Sequence, residues 1–414
     1  MNIKANFIGG KWVRADASRA NVNPSDTNDI VGHYADATVA DVAVAADAAR
    51  EAVAAWGLAP MGSRAALLQR IADAIDVRRA DLALLLSREE GKALRDATAE
   101  VVRAAEIFRF YAGEVYRMGG DRVASVRRGV DVEVLHEPVG VVGLITPWNF
   151  PIVIPAWKIA PALAYGNAVL FKPSELVPAT AWALTEIIAE AGAPAGLFNL
   201  LMGGGDIGGA IVDQVDAVSF TGSVPTGRRV AAQAAGQMIP AQCELGGKNP
   251  LIIAADADLA VAVDCAVQGS FFQTGQRCTA SSRLVVDTAV IKEFTTALVE
   301  RLGTLVIGPG PDAATDIGPV ADDRQFAKDL SYIASAGAEG ARRIFGGEAL
   351  NRQTPGYYPS PALFTDTSND MQINREEVFG PVACIIPSRT HEEAMQIAND
   401  TAFGLSAGIV TTSL

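Results

Sequence analysis

Four cysteines, three histidines and a scatter of carboxylates are the residues with which this chain could do covalent chemistry. Cys278 stands apart from the other thiols. It lies in Phe272-Gln-Thr-Gly-Gln-Arg-Cys-Thr-Ala-Ser-Ser282, a polar, glycine-containing stretch after a helical pattern, with Arg277 directly before it. A thiol attacks as its thiolate, and a neighbouring cation or helix end favours that form. The competing reading is an incidental loop thiol. Cys265 falls in a helical pattern that is apolar almost all round (Leu259, Val261, Ala262, Val263, Ala266, Val267), and Cys384 falls in Val-Ala-Cys-Ile-Ile. Both are expected to be small core residues. A cysteine nucleophile in a hydrolase is normally activated by histidine, but His33, His136 and His391 lie far apart and in no motif. That weakens a protease or thioesterase reading and leaves carboxylates as the alternative bases. Glu244, in Cys243-Glu-Leu-Gly-Gly-Lys-Asn-Pro250, sits where a strand-like segment meets two glycines. Buried there it could activate water; exposed, it is a glutamate at a turn. Asn149, in Thr146-Pro-Trp-Asn-Phe-Pro151, is a neutral donor at a strand end between two prolines. It suits oxyanion stabilisation, or simply the turn itself.

These residues need a scaffold, and the pattern from Gly140 onward supplies one. Val141–Ile145, Ala168–Phe171, Leu197–Leu201 and Ala217–Phe220 read as short apolar strands. Ile152–Ala164, Thr180–Glu190 and Val224–Ala235 read as helices between them. Such alternation makes a parallel sheet with helices on both faces, and ligands bind such sheets at the carboxyl ends of the strands. One strand-to-helix turn there is Phe220-Thr-Gly-Ser-Val-Pro-Thr-Gly227. Ser223 can cap the helix, Pro225 suits its first turn, and Gly222 lets the backbone approach a ligand. A helix N-terminus of this kind favours a diphosphate; otherwise it is a capped helix facing water. The usual Gly-x-Gly-x-x-Gly fingerprint is missing.

The first third reads as helices: Val39–Trp56 with Thr38 as N-cap, Ser63–Ile75, Ala80–Ser87 and Ala97–Tyr116. Arg122–His136 alternates valines with charges, as in a half-exposed β-arm. A second α/β segment begins near Leu245, with helices at Asp258–Phe271 and Ile291–Leu302 and strands at Arg283–Val286 and Val382–Ile386. Gly246–Gly247 permits a chain bend and marks the boundary.

Composition bounds the answer. At about 100–200 residues per domain, 414 residues make two or three. Half the residues are hydrophobic and 20% are charged, which excludes a disordered or fibrous chain. A net charge of −13 argues against a sequence-independent nucleic-acid binder. The apolar stretch Ile152–Phe171 is broken by Pro155, Lys158, Pro161, Gly166 and Asn167, so buried structure is expected there, not a membrane span. The N-terminus has no apolar run fit for a signal peptide. No Cys-x-x-Cys pair or histidine motif suggests a disulfide scaffold or a metal site. A soluble, reduced, cytoplasmic protein is expected.

The order of the motifs points to a family. Thr146-Pro-Trp-Asn-Phe-Pro151, Phe171-Lys-Pro-Ser-Glu175, Phe220-Thr-Gly-Ser223, Glu244-Leu-Gly-Gly-Lys-Asn-Pro250, Gly275-Gln-Arg-Cys278 and Glu376-Glu-Val-Phe-Gly-Pro381 together resemble the NAD(P)-dependent aldehyde dehydrogenases. The resemblance runs from Phe7-Ile-Gly-Gly-Lys-Trp12 to Asn399-Asp-Thr-Ala-Phe-Gly-Leu405, nearly the whole chain. It implies an α/β fold with two Rossmann-like parallel-sheet domains: a cofactor domain of residues 1–122 and 140–245, an oligomerisation β-arm at 123–139, and a catalytic domain at 246–414. It implies that Cys278 attacks the aldehyde to give a thiohemiacetal, that Asn149 and the Cys278 N–H stabilise the oxyanion, and that Glu244 activates water to hydrolyse the thioester left by hydride transfer. Lys172 and Glu175 would meet the adenine ribose, Ser223 and Trp148 the pyrophosphate beside Gly222, and Glu377 and Phe379 the nicotinamide ribose. The cofactor is NAD or NADP: Glu175 favours the free ribose diol, and Lys172 offsets its repulsion of a 2′-phosphate.

The segments Pro155–Asn167 and Gly275–Leu284 look most like the α-ketoglutaric semialdehyde (2,5-dioxopentanoate) dehydrogenases of sugar-acid and hydroxyproline breakdown. Succinate semialdehyde and betaine aldehyde are the competing substrates. Arg277 could attract a carboxylate-bearing aldehyde or serve a structural or pKa-tuning role. Glu244 disfavours a coenzyme-A-acylating relative. Family members are expected to be homo-oligomers and to continue beyond residue 414 with a strand that pairs with the arm, so an inactive, truncated cofactor-binding protein is the non-enzymatic alternative.

Overall fold

The computed structural model describes Ile3–Ser413, which form two compact units. The first comprises residues 3–21, 30–86 and 97–244, and the second comprises 22–29, 87–96 and 245–413. The short segments 22–29 and 87–96 thus group with the second unit and not with the chain around them.

In the first unit, five parallel strands lie in the order Ala241–Glu244, Ala217–Thr221, Val141–Ile145, Ala168–Lys172 and Phe198–Leu200. The inner strands Val141–Ile145 and Ala168–Lys172 are apolar along most of their length, as strands covered on both faces by helices are. Ala168–Lys172 is buried at every position. The helix Val39–Trp56 begins in a reciprocal capping box between Thr38 and Asp41. It ends at Trp56, whose indole N–H donates to the Leu163 carbonyl at 2.9 Å and ties it to the helix Val153–Ala164.

Residues 3–35, where the sequence reading set no helix, form strands: Asn6–Ile8 and Lys11–Val13 extend the sheet as an antiparallel pair, and Ile3–Lys4, Ile30–Ala35 and Ser18–Val22 form a separate three-stranded sheet. These strands are short and rich in Asn, Lys and Arg, so pairing holds them where neither period shows. Cys265 is exposed, not a core residue. The helix Leu259–Ser270 buries Ala262, Val263, Ala266, Val267 and Ser270, a 3.6-residue stripe that excludes position 265. Gly246 and Gly247 follow directly on the change of unit at Glu244–Leu245, and neither has a positive φ.

The second unit is built on a six-stranded sheet in the order Arg342–Phe345, Ala362–Thr365, Val382–Ser388, Arg283–Asp287, Pro250–Ile253 and Gly408–Val410. All pairs are parallel except the first. Phe271, Leu284, Val286, Phe294, Leu298 and Ile385 lie in its main core. The helix Asp323–Ala338, capped by the Asp322 carboxylate on the Gln325 N–H, has no counterpart in the sequence reading. Its buried residues are Gln325, Asp329, Ile333 and Ala336, so half of its inward face is polar and hides the period.

The arm is a two-stranded antiparallel ribbon, Asp121–Ala124 with Asp131–Val134, exposed at every position. Among the described residues no helix is long and apolar enough to cross a membrane, and no group of three or more His, Cys, Asp or Glu is gathered to hold a metal ion.

Candidate active site

At the carboxyl ends of Val141–Ile145, Ala168–Lys172 and Ala217–Thr221 the first unit opens a cavity of about 490 Å³. Lys172, Glu175, Trp148, Gly222 and Ser223 all line it. The turns after three adjacent parallel strands bring these residues together. The Lys172 ammonium is buried, donates to the Pro173 carbonyl at 2.7 Å and lies 3.8 Å from the Glu175 carboxylate. Burial pulls its pKa below the ordinary lysine value, against the opposing pull of Glu175.

Ser223 occupies the N-cap position of Val224–Gly236, but its side chain does not cap the backbone. Its hydroxyl donates instead to Thr226 Oγ1 at 3.1 Å. The Val224 and Thr226 N–H groups of that first turn thus take no cap from Ser223, the arrangement an anion site uses. Pro225 has no N–H, and the Gly227 N–H donates to the Ser223 carbonyl at 2.9 Å. Gly222 is needed locally as well: a Cβ there would come within 2.6 Å of the Phe220 ring. The sequence reading missed Ser174, Arg229 and the glycine-rich turn into the helix Gly205–Val212, which completes the wall through Gly205, Gly208 and Gly209. The run Gly203-Gly-Gly-Asp-Ile-Gly-Gly209 was the signal that could have found it. A buried cation, a carboxylate, an uncapped helix start and a glycine wall fit the adenosine diphosphate half of a dinucleotide.

Asn149 is buried in the turn between Val141–Ile145 and Val153–Ala164. The helix after it is anchored by Glu100, whose Oε1 accepts from the Ile152 and Val153 N–H groups at 3.0 and 3.2 Å. Glu244 ends the edge strand Ala241–Glu244 and is exposed, not buried. It terminates a chain of donors: Lys158 Nζ to Ser219 Oγ at 2.6 Å, Ser219 Oγ to Gln242 Oε1 at 2.5 Å, and Gln242 Nε2 to Glu244 Oε1 at 2.7 Å. Burial lowers Lys158 to about 8, opposed by the charges of Glu244 and Cys243. Lys158 appeared in the sequence only as an interruption of an apolar run. The Glu244 carbonyl accepts from the Gly222 N–H at 3.1 Å, which joins this strand to the anion turn.

In the second unit Cys278 is half-buried and carries no disulfide. The chain reaches it through Gln273, Thr274 and Gly275, all left-handed, with φ of 55°, 56° and 66°. Gly275 is obligatory there, because a Cβ would collide with the Gly380 carbonyl. The Cys278 carbonyl accepts from Asn249 Nδ2 at 2.7 Å. A Cβ on Gly247 would approach that carbonyl to 2.6 Å, and one on Gly246 would strike the Glu377 carboxylate. The two glycines therefore serve close approach. Arg277 donates to the carbonyls of Gln268 and Gly269 at the end of Leu259–Ser270, the latter at 2.7 Å. Its Nη2 is thereby tied to the helix end, while its buried Nε has no hydrogen-bond partner.

Glu377 Oε1 accepts from the Gly247 N–H at 2.9 Å, and burial raises its pKa. Phe379 beside it holds φ at 70°, a conformation that non-glycine residues adopt rarely and that clusters at functional sites. Cys384 is buried, as expected, and burial pushes its thiol up to about 12, which makes it inert as a nucleophile.

A half-buried thiol after a left-handed turn in one α/β unit and a cleft fit for an adenosine diphosphate group in the other suit a cofactor-linked oxidoreductase. The model of the aldehyde dehydrogenase family matches residues 12–414, and the chain belongs to that family, the oxidoreductases that act on aldehydes. It is 41% identical to the alpha-ketoglutaric semialdehyde dehydrogenase of Bacillus subtilis, over all of this chain and 86% of that protein. It is 37% identical to the 2,5-dioxopentanoate dehydrogenase of Saccharolobus solfataricus, over 98% of this chain and 86% of that protein. Among solved structures, the betaine aldehyde dehydrogenase of Staphylococcus aureus in complex with NAD+ superposes with a TM-score of 0.96 at 36% identity, covering 99% of this chain and 83% of that one.

Proposed function

We propose that the chain oxidises α-ketoglutaric semialdehyde to 2-oxoglutarate with NAD or NADP. The observation that carries this reading is the 41% identity, over the full chain, to a dehydrogenase of that aldehyde. Identity to the 2,5-dioxopentanoate enzyme, the same substrate under another name, supports it.

In this reading the Cys278 thiolate adds to the aldehyde carbon, and the carbonyl π electrons move to oxygen. The alkoxide is stabilised by the Asn149 amide and the Cys278 N–H, donors of a kind worth roughly 3–4 kcal/mol each. Hydride loss from the alkoxide to a nicotinamide, the chemistry the cofactor would supply when bound, would leave an acyl thioester on Cys278. Glu244 takes a proton from water as the water attacks the thioester, the carboxylic acid departs, and Cys278 leaves as thiolate. Glu244 is exposed at a strand end, so its role as the base rests on the family resemblance. Lys172 and Glu175 hold the adenine ribose, Trp148, Gly222 and Ser223 border the pyrophosphate, and Glu377 and Phe379 hold the nicotinamide ribose. The cavity of about 490 Å³ that gathers the first five supports this assignment. Residues 246–414 then supply the catalytic thiol and 140–245 most of the cofactor groove.

The test is a comparison of kcat/KM for α-ketoglutaric semialdehyde, succinate semialdehyde, betaine aldehyde and a simple aliphatic aldehyde, with each cofactor. The reading predicts a clear preference for the first. A value no better than that for the aliphatic aldehyde overturns the substrate, and a preference for betaine aldehyde transfers it to the relative named above.

A further inference from the structure

The helix Asp323–Ala338 turns a polar face inward. Gln325, Asp329 and Tyr332 are spaced i, i+4 and i+7, so they share one side of it. All three meet the loop Glu376–Gly380. Gln325 Nε2 donates both to Asp329 Oδ1 at 2.7 Å and to the Val378 carbonyl at 3.0 Å. Tyr332 Oη donates to Glu376 Oε2 at 2.5 Å. The Asp329 carboxyl fills the space above Gly380, where any Cβ would collide with it.

The loop needs such a grip. Phe379 is left-handed, a conformation that persists in a non-glycine residue only where the surroundings impose it. Two hydrogens of one amide fix the geometry: with one committed to Asp329, the other is aimed at Val378. Asp329 is fully buried and its second oxygen has no hydrogen-bond partner. A carboxylate so placed is costly unless it is neutral. Burial raises its pKa to about 8, opposed by Gln325 and by Lys328 on the same helix, so below that pH it is an uncharged acid.

We propose that Asp329 is a positioning residue: through Gln325 and the backbone of Gly380 it holds the Glu376–Gly380 loop in the shape that presents Glu377 and Phe379 to the nicotinamide half of the cofactor. This rests on the reading that the loop meets that half.

The experiment measures NADH binding by fluorescence and ADP binding by calorimetry for the full chain and for Asp329→Asn, Asp329→Leu, Gly380→Ala and Glu377→Gln. Hydrogen exchange of the peptide spanning 376–381 is followed in parallel. The amide of Asp329→Asn keeps an acceptor for Gln325, so both affinities stay near those of the unaltered chain. Asp329→Leu and Gly380→Ala weaken NADH about five- to tenfold, as for loss of one hydrogen bond. They leave ADP binding unchanged, and exchange rises in 376–381 but not elsewhere in the second unit. Unchanged exchange in that peptide in Asp329→Leu overturns the proposal, and so does a rise spread over the whole second unit, which signals general destabilisation. If Glu377→Gln leaves NADH affinity unchanged, the reading of the loop is what fails, and the exchange pattern still decides the role of Asp329.

Discussion

Asn149 and Asp329 show how single buried polar groups can be separated by experiment. Asn149 is buried at a strand end with its helix anchored by Glu100, so replacing it should leave the backbone in place and remove the donor proposed for the oxyanion. Asn149→Ala is expected to lower kcat by about 10²–10³-fold with a smaller change in KM; a loss confined to KM would remove it from the chemical step. Asp329 makes a separate, thermodynamic prediction. Its folded pKa is about 8 against an ordinary 3.8, so the folded chain keeps a proton that the unfolded chain gives up between those values. Its contribution to stability is complete below about pH 4 and is lost as pH rises through about 8. Asp329→Asn does not titrate, so the difference in Tm between it and the unaltered chain should widen in favour of the variant from pH 5 to pH 8 and then level off. A difference independent of pH would mean that Asp329 is ionised throughout. The candidate residues could be picked out one by one because each sits in or beside a turn of unusual composition. The sequence did not reveal the buried groups around them: Lys158 looked like a blemish in an apolar run, and Asp329 stood in a segment with no readable pattern.

Elements were legible where one physical rule dominated. The strands Val141–Ile145 and Ala168–Lys172 are buried on both faces and read as continuous apolar runs, and Val39–Trp56 announces itself with Thr38 and a regular stripe. The rule failed where polar groups do structural work, as on Asp323–Ala338 with its buried Gln325 and Asp329, or where strands of two or three residues exist only through pairing. Arg283 is the sharpest case. It begins the strand Arg283–Asp287, is completely buried, and donates to the carbonyls of Lys248, Ile397 and Ala398 and to Asn369 Oδ1 at 2.9–3.0 Å. Burial draws its pKa down to about 10, so it remains a cation at neutral pH. It joins the Leu245–Asn249 turn, which carries the glycines against Cys278 and Glu377, to the end of the helix His391–Asn399. Arg283→Met strips several buried carbonyls of their donor, each worth about 1–3 kcal/mol. The expected result in denaturant unfolding is a loss of several kcal/mol; a change below about 1 kcal/mol, the size typical of a surface substitution, would contradict that role.

For the molecule as a whole, neither unit is a single stretch of chain. Residues 22–29 reach into the second unit, where Ser25 accepts from the Gly310 N–H through its hydroxyl and from Thr354 and Tyr358 through its carbonyl. Residues 87–96 also belong there, so the second unit cannot be completed from 245 onward alone. The proposed division of labour follows the sites: the first unit carries the dinucleotide cleft, Asn149 and Glu244, and the second carries Cys278 and the Glu377–Phe379 loop. The claim at the centre is that Cys278 is the nucleophile of an aldehyde oxidation. Its most direct test is the formation of reduced nicotinamide, followed by absorbance, when α-ketoglutaric semialdehyde and NAD or NADP are mixed with the chain or with Cys278→Ala. The account predicts turnover by the unaltered chain and none by the variant, with both binding ADP equally. Equal turnover by Cys278→Ala would contradict it.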